Sequence, residues 1–261
     1  MLISVSSIIR FKEGIIEAIK YAARLGLMHI DIFVANPHFN YLMTDEEIEH
    51  LRKFLDYMGM RASLKSPGFV ENLASINPDV RKITFKFFKK LIDLAKRINA
   101  THVTIKPGMF FFPEKMRKRE AYDLLEEGIK RVLSYAEEQN VMILFENYYY
   151  PIEALRFPKH FQKIVKFAGD NQNYGFALNI PHLLEAKADI EKLVKMKDVI
   201  RRIEAIYVGP RPSPWELKVD YSSIDEVIDR FRFITRYVIP RITILATVRE
   251  DILIRMLREV I

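Results

Sequence analysis

Residues 61–108 read RASLKSPGFVENLASINPDVRKITFKFFKKLIDLAKRINATHVTIKPG. Two short β-rich runs, RASLK (61–65) and HVTIK (102–106), flank a long segment whose apolar residues recur at helical spacing. Asn77 and Pro78 open that segment as an N-cap and a first helical residue. The stretch is one strand–helix–strand unit. Both of its strands end in a lysine, Lys65 and Lys106, just before a Pro-Gly stop. A positive charge at the end of a buried-looking strand is the feature to be explained.

The same alternation extends in both directions. LISVS (2–6), HIDIFVA (29–35), VMILFE (141–146), YGFAL (174–178), AIYVG (205–209) and ITILA (242–246) are near-continuous apolar runs, as parallel strands covered on both faces require. Amphipathic segments fall between them. GIIEAIKYAARLG (14–26) closes on a C-cap glycine. TDEEIEHLRKFLDYMG (44–59) opens with Thr44 and Glu47 in capping-box spacing. Further helices are expected near 117–140, 151–168, 182–198, 222–237 and 249–260. Eight strand–helix units in 261 residues, with no Pro/Gly/Ser-rich linker, predict an α/β chain forming one (β/α)8 TIM barrel over residues 1–261. No Gly-rich fingerprint follows the first strand, which argues against a dinucleotide fold.

Composition removes several function classes. There is no cysteine, hence no disulfide, thiolate metal site or cysteine nucleophile. The first residues, MLISVSSIIRFKEG, charge too early for a signal peptide, and no apolar run approaches a membrane span; a cytoplasmic protein without membrane partners is expected. Few glycines and abundant Lys, Glu, Arg and Ile resemble thermophile usage. The net charge of +7 permits anionic partners without demanding them. FKFFKK (85–90) and FPKHFQKIVKF (157–167) interleave basic and aromatic residues, but both fit amphipathic helices covering a sheet.

A TIM barrel carries its chemistry at the C-terminal strand ends. Those ends hold Ser6 and Ser7; Asn36 and His38; Lys65; Lys106; Glu146 and Asn147; Asn179 and His182; Tyr207 leading to Arg211; and Thr247 with Arg249. The set is polar and mixed in charge. It fits either a structural Lys–Glu plug or a cationic pocket with one carboxylate, suited to an anionic or polyhydroxylated ligand. Trp215, in the loop GPRPSPWELK (209–218), either packs over the rim or touches substrate. The three tyrosines of FENYYYP (145–151) either line the mouth or pack on MFFFP (109–113).

At these positions the chain resembles the xylose-isomerase-like barrels, a superfamily that includes sugar phosphate isomerases/epimerases and endonuclease IV-type nucleases. NLAS (72–75), the Pro-Gly after strand four, ILFEN (143–147) and FALNIPH (176–182) carry the likeness over nearly the whole chain. The resemblance implies metal-binding histidines at two strand ends, an Asp three residues before a His, and a further strand-seven His. Here those positions hold Lys65, Lys106, Asn179 and Tyr207, and the strand-eight carboxylate position holds Ala246 or Thr247. Only Glu146 and His182 survive as ligands. Lysine has three donors and no acceptor, so neither a catalytic metal nor another cofactor is expected.

The favoured reading is a diverged sugar phosphate isomerase/epimerase-like protein. In it Glu146 is a base or charge partner, with Lys65 and Lys106 as the other catalytic groups. Arg211 joins the lysines in holding an anion. His182 and Asn179 contact hydroxyls, and Asn147, Tyr207, Arg249 and Trp215 complete the substrate set. One lysine acting as a base or Schiff-base nucleophile is a variant of this reading. A catalytically inactive ligand- or partner-binding barrel is the first alternative. An endonuclease IV-like nucleic-acid binder is the less favoured one.

Overall fold

Short runs with buried apolar residues form eight segments: β1 (Leu2–Ser6), β2 (His29–Phe33), β3 (Arg61–Lys65), β4 (Val103–Ile105), β5 (Ile143–Glu146), β6 (Tyr174–Asn179), β7 (Ile203–Val208) and, after a short antiparallel hairpin of β8 (Arg211–Ser213) and β9 (Lys218–Asp220), β10 (Ile242–Leu245). In the computed structural model, which describes residues 1–68, 71–213 and 218–260, these eight segments close into a parallel barrel in the order β1-β10-β7-β6-β5-β4-β3-β2. Closure runs through Val5 opposite Ile30 and Leu2 opposite Ile242. Near the mouth β7 and β10 approach so closely that a Cβ on Gly209 would lie 2.2 Å from the Ala246 carbonyl oxygen. The expected (β/α)8 TIM barrel is what the chain forms.

Outside the strands lie α1 (Ile15–Arg24), α2 (Asp45–Tyr57), α3 (Pro78–Arg97), α4 (Phe112–Met116), α5 (Lys118–Glu138), α6 (Pro158–Ala168), α7 (Ile180–Glu185), α8 (Ile190–Leu193), α9 (Lys197–Ile200), α10 (Ile224–Ile234) and α11 (Glu250–Val260). The capping box at Thr44 and Glu47 forms, and the Asn77 side chain accepts from Asp79 N–H at the head of α3. Between helices and strands lies the main apolar core, to which α3 gives Phe88 and Leu91 and α6 gives Phe161 and Ile164. The basic-aromatic segments are thus helix faces turned to the core. A second cluster, including Leu144, Ala205, Tyr207 and Ile244, fills the barrel interior.

Two helices differ from their expected extent. The segment expected at 151–168 becomes helical only at Pro158, where proline takes the first helical turn and His160 Nδ1 accepts from the Arg156 and Phe157 N–H groups. The segment expected at 182–198 breaks into three, because Lys187 adopts a left-handed φ of 52° and Asp189 caps the next turn. Among the described residues, no helix is long and apolar enough to cross a membrane.

At the opposite end from the mouth, His29 and His102 stack at 6.4 Å. The Thr101 hydroxyl reaches the Ala62 carbonyl and takes hydrogen bonds from His29 Nε2 and His102 Nδ1, while the Ser4 hydroxyl donates to His29 Nδ1. Burial, reinforced by the charge of His29, pushes His102 down to about 3. The folded protein then binds fewer protons here than the unfolded chain between about pH 3 and 6.5, so His102 contributes stability that is lost as pH falls through that window. His102→Asn keeps a donor toward Thr101 but does not titrate. In denaturant titrations over that range, wild-type stability is expected to rise with pH more steeply than the variant's by about 1.4 kcal/mol per pH unit. Equal slopes would show that His102 does not act this way.

Candidate functional site

Alternate residues of a barrel strand point inward. That pleat puts Asp31 of β2, Ser63 and Lys65 of β3, Thr104 of β4 and Lys106 just beyond it, Glu146 of β5, Asn179 of β6 and Tyr207 of β7 on one inner surface. At the C-terminal mouth this surface opens into a cavity of about 340 Å³, lined by Lys65, Lys106, Glu146, Asn179, His182 and Tyr207 among others. Six residues chosen from strand ends in the sequence therefore meet in one cavity.

Glu146 is its centre. Its Oε1 accepts from Lys65 Nζ at 2.7 Å and from Asn179 Nδ2 at 2.7 Å. Oε2 takes no hydrogen bond from the described residues, and Glu146 lines the cavity. Burial pushes the Glu146 carboxyl up, but the Lys65 charge, the charge His182 takes on in acid and the two hydrogen bonds outweigh it and hold the group below the usual carboxylate range. Lys65 Nζ also lies 3.8 Å from the centroid of the Tyr207 ring, a cation–π contact.

His182 stands beside this group, with Nδ1 3.8 Å from Glu146 Oε1 and its ring against those of Tyr148 and Tyr149. Burial pushes it down to about 4, so it is uncharged at neutral pH and lends Glu146 no charge there. Nδ1–H donates to the Asn147 carbonyl at 3.0 Å, which leaves Nε2 as the acceptor nitrogen. Asn179 is locked from two sides: its Oδ1 caps α7 at His182 N–H, and Asn147 Oδ1 takes its N–H. Asn147 is fully buried, and its amide also donates to the Asn179 carbonyl. The structure places Asn147 behind the wall, holding β5 to β6.

Lys106 has a separate partner. Its Nζ donates to Glu153 Oε1 at 3.0 Å and lies 4.1 Å from the Tyr148 ring centroid. Gly68 covers its stem, where a Cβ would come within 2.6 Å of Lys106 Cε. Burial pushes Glu153 up to about 7 against the pull of Lys106. Of the three tyrosines, Tyr148 lines the cavity, and the loop that follows them binds the strand-four loop through Phe110 N–H to the Ile152 carbonyl at 2.6 Å.

Beneath Lys65 lies a carboxylate that strand-end reasoning passes over. Asp31, fully buried, accepts from Ser63 Oγ at 2.6 Å and from the Tyr207 hydroxyl at 3.0 Å. Burial pushes it up to about 6 against the Lys65 charge. Its signal was present, an acid inside the apolar run HIDIFVA. Glu153 had none, because a loop acid is expected to be solvated. Ser66 Oγ, also in the cavity lining, is buried with no hydrogen-bond partner among the described residues.

Arg211 and Arg249 are not brought to the cavity. Arg211 pairs with Glu185 at 3.1 Å and Glu226 at 2.9 Å, and Arg249 pairs with Asp251 over the Tyr221 ring. Trp215 lies outside the described residues. Ala246 and Thr247 both line the mouth just beyond β10. With Lys65 paired to Glu146, Lys106 paired to Glu153 and Asp31 below, the mouth is closer to charge balance than the cationic pocket the strand ends suggest.

A divalent cation does not fit this donor set. The positions that would supply imidazoles supply ammonium groups, one of them already on Glu146 Oε1. Among the described residues no group of three or more His, Cys, Asp or Glu is placed to hold a metal.

The comparisons with known proteins agree with this barrel. The chain belongs to the xylose isomerase-like TIM barrel family, whose model matches residues 19–238. An uncharacterized protein of Methanocaldococcus jannaschii is 28% identical over 148 residues, 56% of this chain and 54% of that protein. The chain thus spans about half the length of the curated relative it matches. Among solved structures, a D-tagatose 3-epimerase-like protein superposes with a TM-score of 0.78 at 17% identity, covering 100% of this chain and 96% of that one. The D-psicose 3-epimerase of Clostridium cellulolyticum H10 gives 0.72 at 16% identity over 94% and 84%. An L-ribulose 3-epimerase gives 0.71 at 14% identity over 100% and 87%. At these identities the likeness establishes the shared fold.

Proposed function

We propose that the barrel binds a polyhydroxylated carbonyl compound, a sugar or sugar phosphate, and moves a proton at the carbon beside its carbonyl without a bound metal. The observation that carries this reading is the setting of Glu146: Oε1 is held by Lys65 and Asn179, Oε2 takes no hydrogen bond from the described residues, and the side chain lines a cavity large enough for a small sugar. Lys65, and Lys106 behind it, supply the positive charge that steadies the electron pair left by the departing proton. His182 Nε2 offers an acceptor to hydroxyls, and the Tyr207 ring lines the same cavity. The near balance of charge favours a neutral or singly phosphorylated sugar over a polyanion, and the epimerase likeness points to the same substrate class.

The test is proton exchange. Ketoses and aldoses of three to six carbons, free and phosphorylated, are incubated with the protein in D2O and followed by NMR. Loss of the C–H signal next to the carbonyl of at least one sugar, or appearance of its epimer, is the expected result. No exchange in any sugar, with ligand-induced shifts in the protein still present, would leave a binding barrel without catalysis.

A further inference from the structure

We propose that Lys65 is a covalent catalyst, forming a Schiff base with the carbonyl carbon of a ketose substrate so that the iminium nitrogen serves as the electron sink for proton transfer by Glu146. The inference rests on the sugar-binding, proton-transferring reading above and adds the identity of its electrophile.

The geometry is that of an activated nucleophile. An attacking amine needs a base within hydrogen-bond reach and a third group that orients the base. Lys65 Nζ is 2.7 Å from Glu146 Oε1, and Asn179 Nδ2 is 2.7 Å from the same oxygen. Asn179 is itself fixed, through Asn147 and the α7 N-terminus. The Tyr207 ring lies against the amine 3.8 Å away. The Lys65 side chain retains 14% exposure, whereas that of Glu146 is buried to 3%, so Lys65 is the more accessible of the two side chains.

Lys106 lacks this arrangement. Its partner Glu153 does not line the cavity, its own side chain is 5% exposed, and Gly68 packs on its stem. An imine on Lys106 would leave Glu153 with no access to the substrate carbon.

The chemistry closes on these two residues. One proton passes from the Lys65 ammonium to Glu146. The free amine adds to the carbonyl carbon; the C=O π pair moves to oxygen, which takes a proton from the nitrogen, giving a neutral carbinolamine beside a neutral carboxyl. Glu146 returns its proton to the carbinolamine hydroxyl, the C–O bond breaks, water leaves, and a cationic iminium faces a carboxylate. Glu146 then removes the proton from the adjacent carbon, and the C–H electron pair flows to nitrogen as an enamine. Reprotonation and hydrolysis release product and restore the ammonium–carboxylate pair. No oxidant, reductant or metal is required.

Borohydride trapping tests this. The whole protein is treated with sodium borohydride together with dihydroxyacetone, dihydroxyacetone phosphate or D-tagatose, then analysed by intact mass and peptide mapping. The expected result is a gain of the ketose mass less one oxygen, mapped to Lys65 and lost in Lys65→Arg. The wild-type map keeps the test decisive even if that variant folds poorly. Deuterium exchange into the same sugars without any mass gain, or a gain confined to other lysines, would overturn covalent catalysis and leave the proton-transfer reading standing. Absence of both exchange and adduct would overturn the two together.

Discussion

Glu146→Gln is expected to slow proton exchange by about 10²–10⁴-fold while sugar binding is kept or tightened, since a positioned general base contributes roughly that factor. Glutamine preserves the size of the side chain and an oxygen for the Lys65 and Asn179 hydrogen bonds, which hold Oε1 at 2.7 Å each. It removes the basic lone pairs of the carboxylate and the counter-charge of Lys65. The amide therefore separates chemistry from binding, and a phosphorylated sugar meets a more positive mouth. Exchange rates by NMR and affinities by calorimetry check it together. A binding loss as large as the rate loss would show that Glu146 shapes the pocket and does not take the proton.

Lys106→Met is expected to destabilise the fold by about 3–5 kcal/mol above pH 7, the cost of stranding a buried charge, and by much less in mild acid. The Lys106–Glu153 pair is almost wholly buried, with side chains 5% and 2% exposed. Even with Lys106 present, Glu153 is pushed from 4.5 up to about 7. A carboxyl whose folded pKa is raised binds its proton more tightly in the native state, so stability falls as pH rises through that window. Without Lys106 the carboxyl is pushed higher still; it stays protonated in mild acid and must be stranded or ionised above it. Glu153→Gln in the Lys106→Met background is expected to recover most of the loss at high pH. Denaturant titrations of the wild type, Lys106→Met, Glu153→Gln and the double variant at two pH values give the coupling directly. A pH-independent loss would mean that Lys106 acts through packing over Tyr148 alone.

The barrel was legible because its signals are local. Near-continuous apolar runs, helix caps such as Thr44 and Asn77, and Pro-Gly stops each need only a few neighbouring residues. Helices failed where a local pattern met a competing backbone choice, as at Lys187 and Pro158. The cavity residues were legible through one rule of topology: parallel strands deliver their last inward residue to the same mouth. That rule selects Lys65, Lys106, Glu146 and Asn179, and it passes over Asp31, one turn of the pleat deeper.

Sequence by itself determined the number and order of strand–helix units, the likeness to xylose-isomerase-like barrels, and the replacement of imidazoles by ammonium groups at two strand ends. Tertiary structure alone decided what those lysines face. Lys65 meets Glu146 because β3 and β5, separated by β4, turn their inner surfaces toward one another across the mouth. Lys106 meets Glu153 because a loop folds over the mouth and brings in an acid 47 residues away. Arg211 and Arg249, equally basic in sequence, are neutralised outside the cavity by acids on α7, α10 and α11. A charge in a sequence has a sign but no partner; its chemistry depends on distance and burial, which exist only once the barrel has closed.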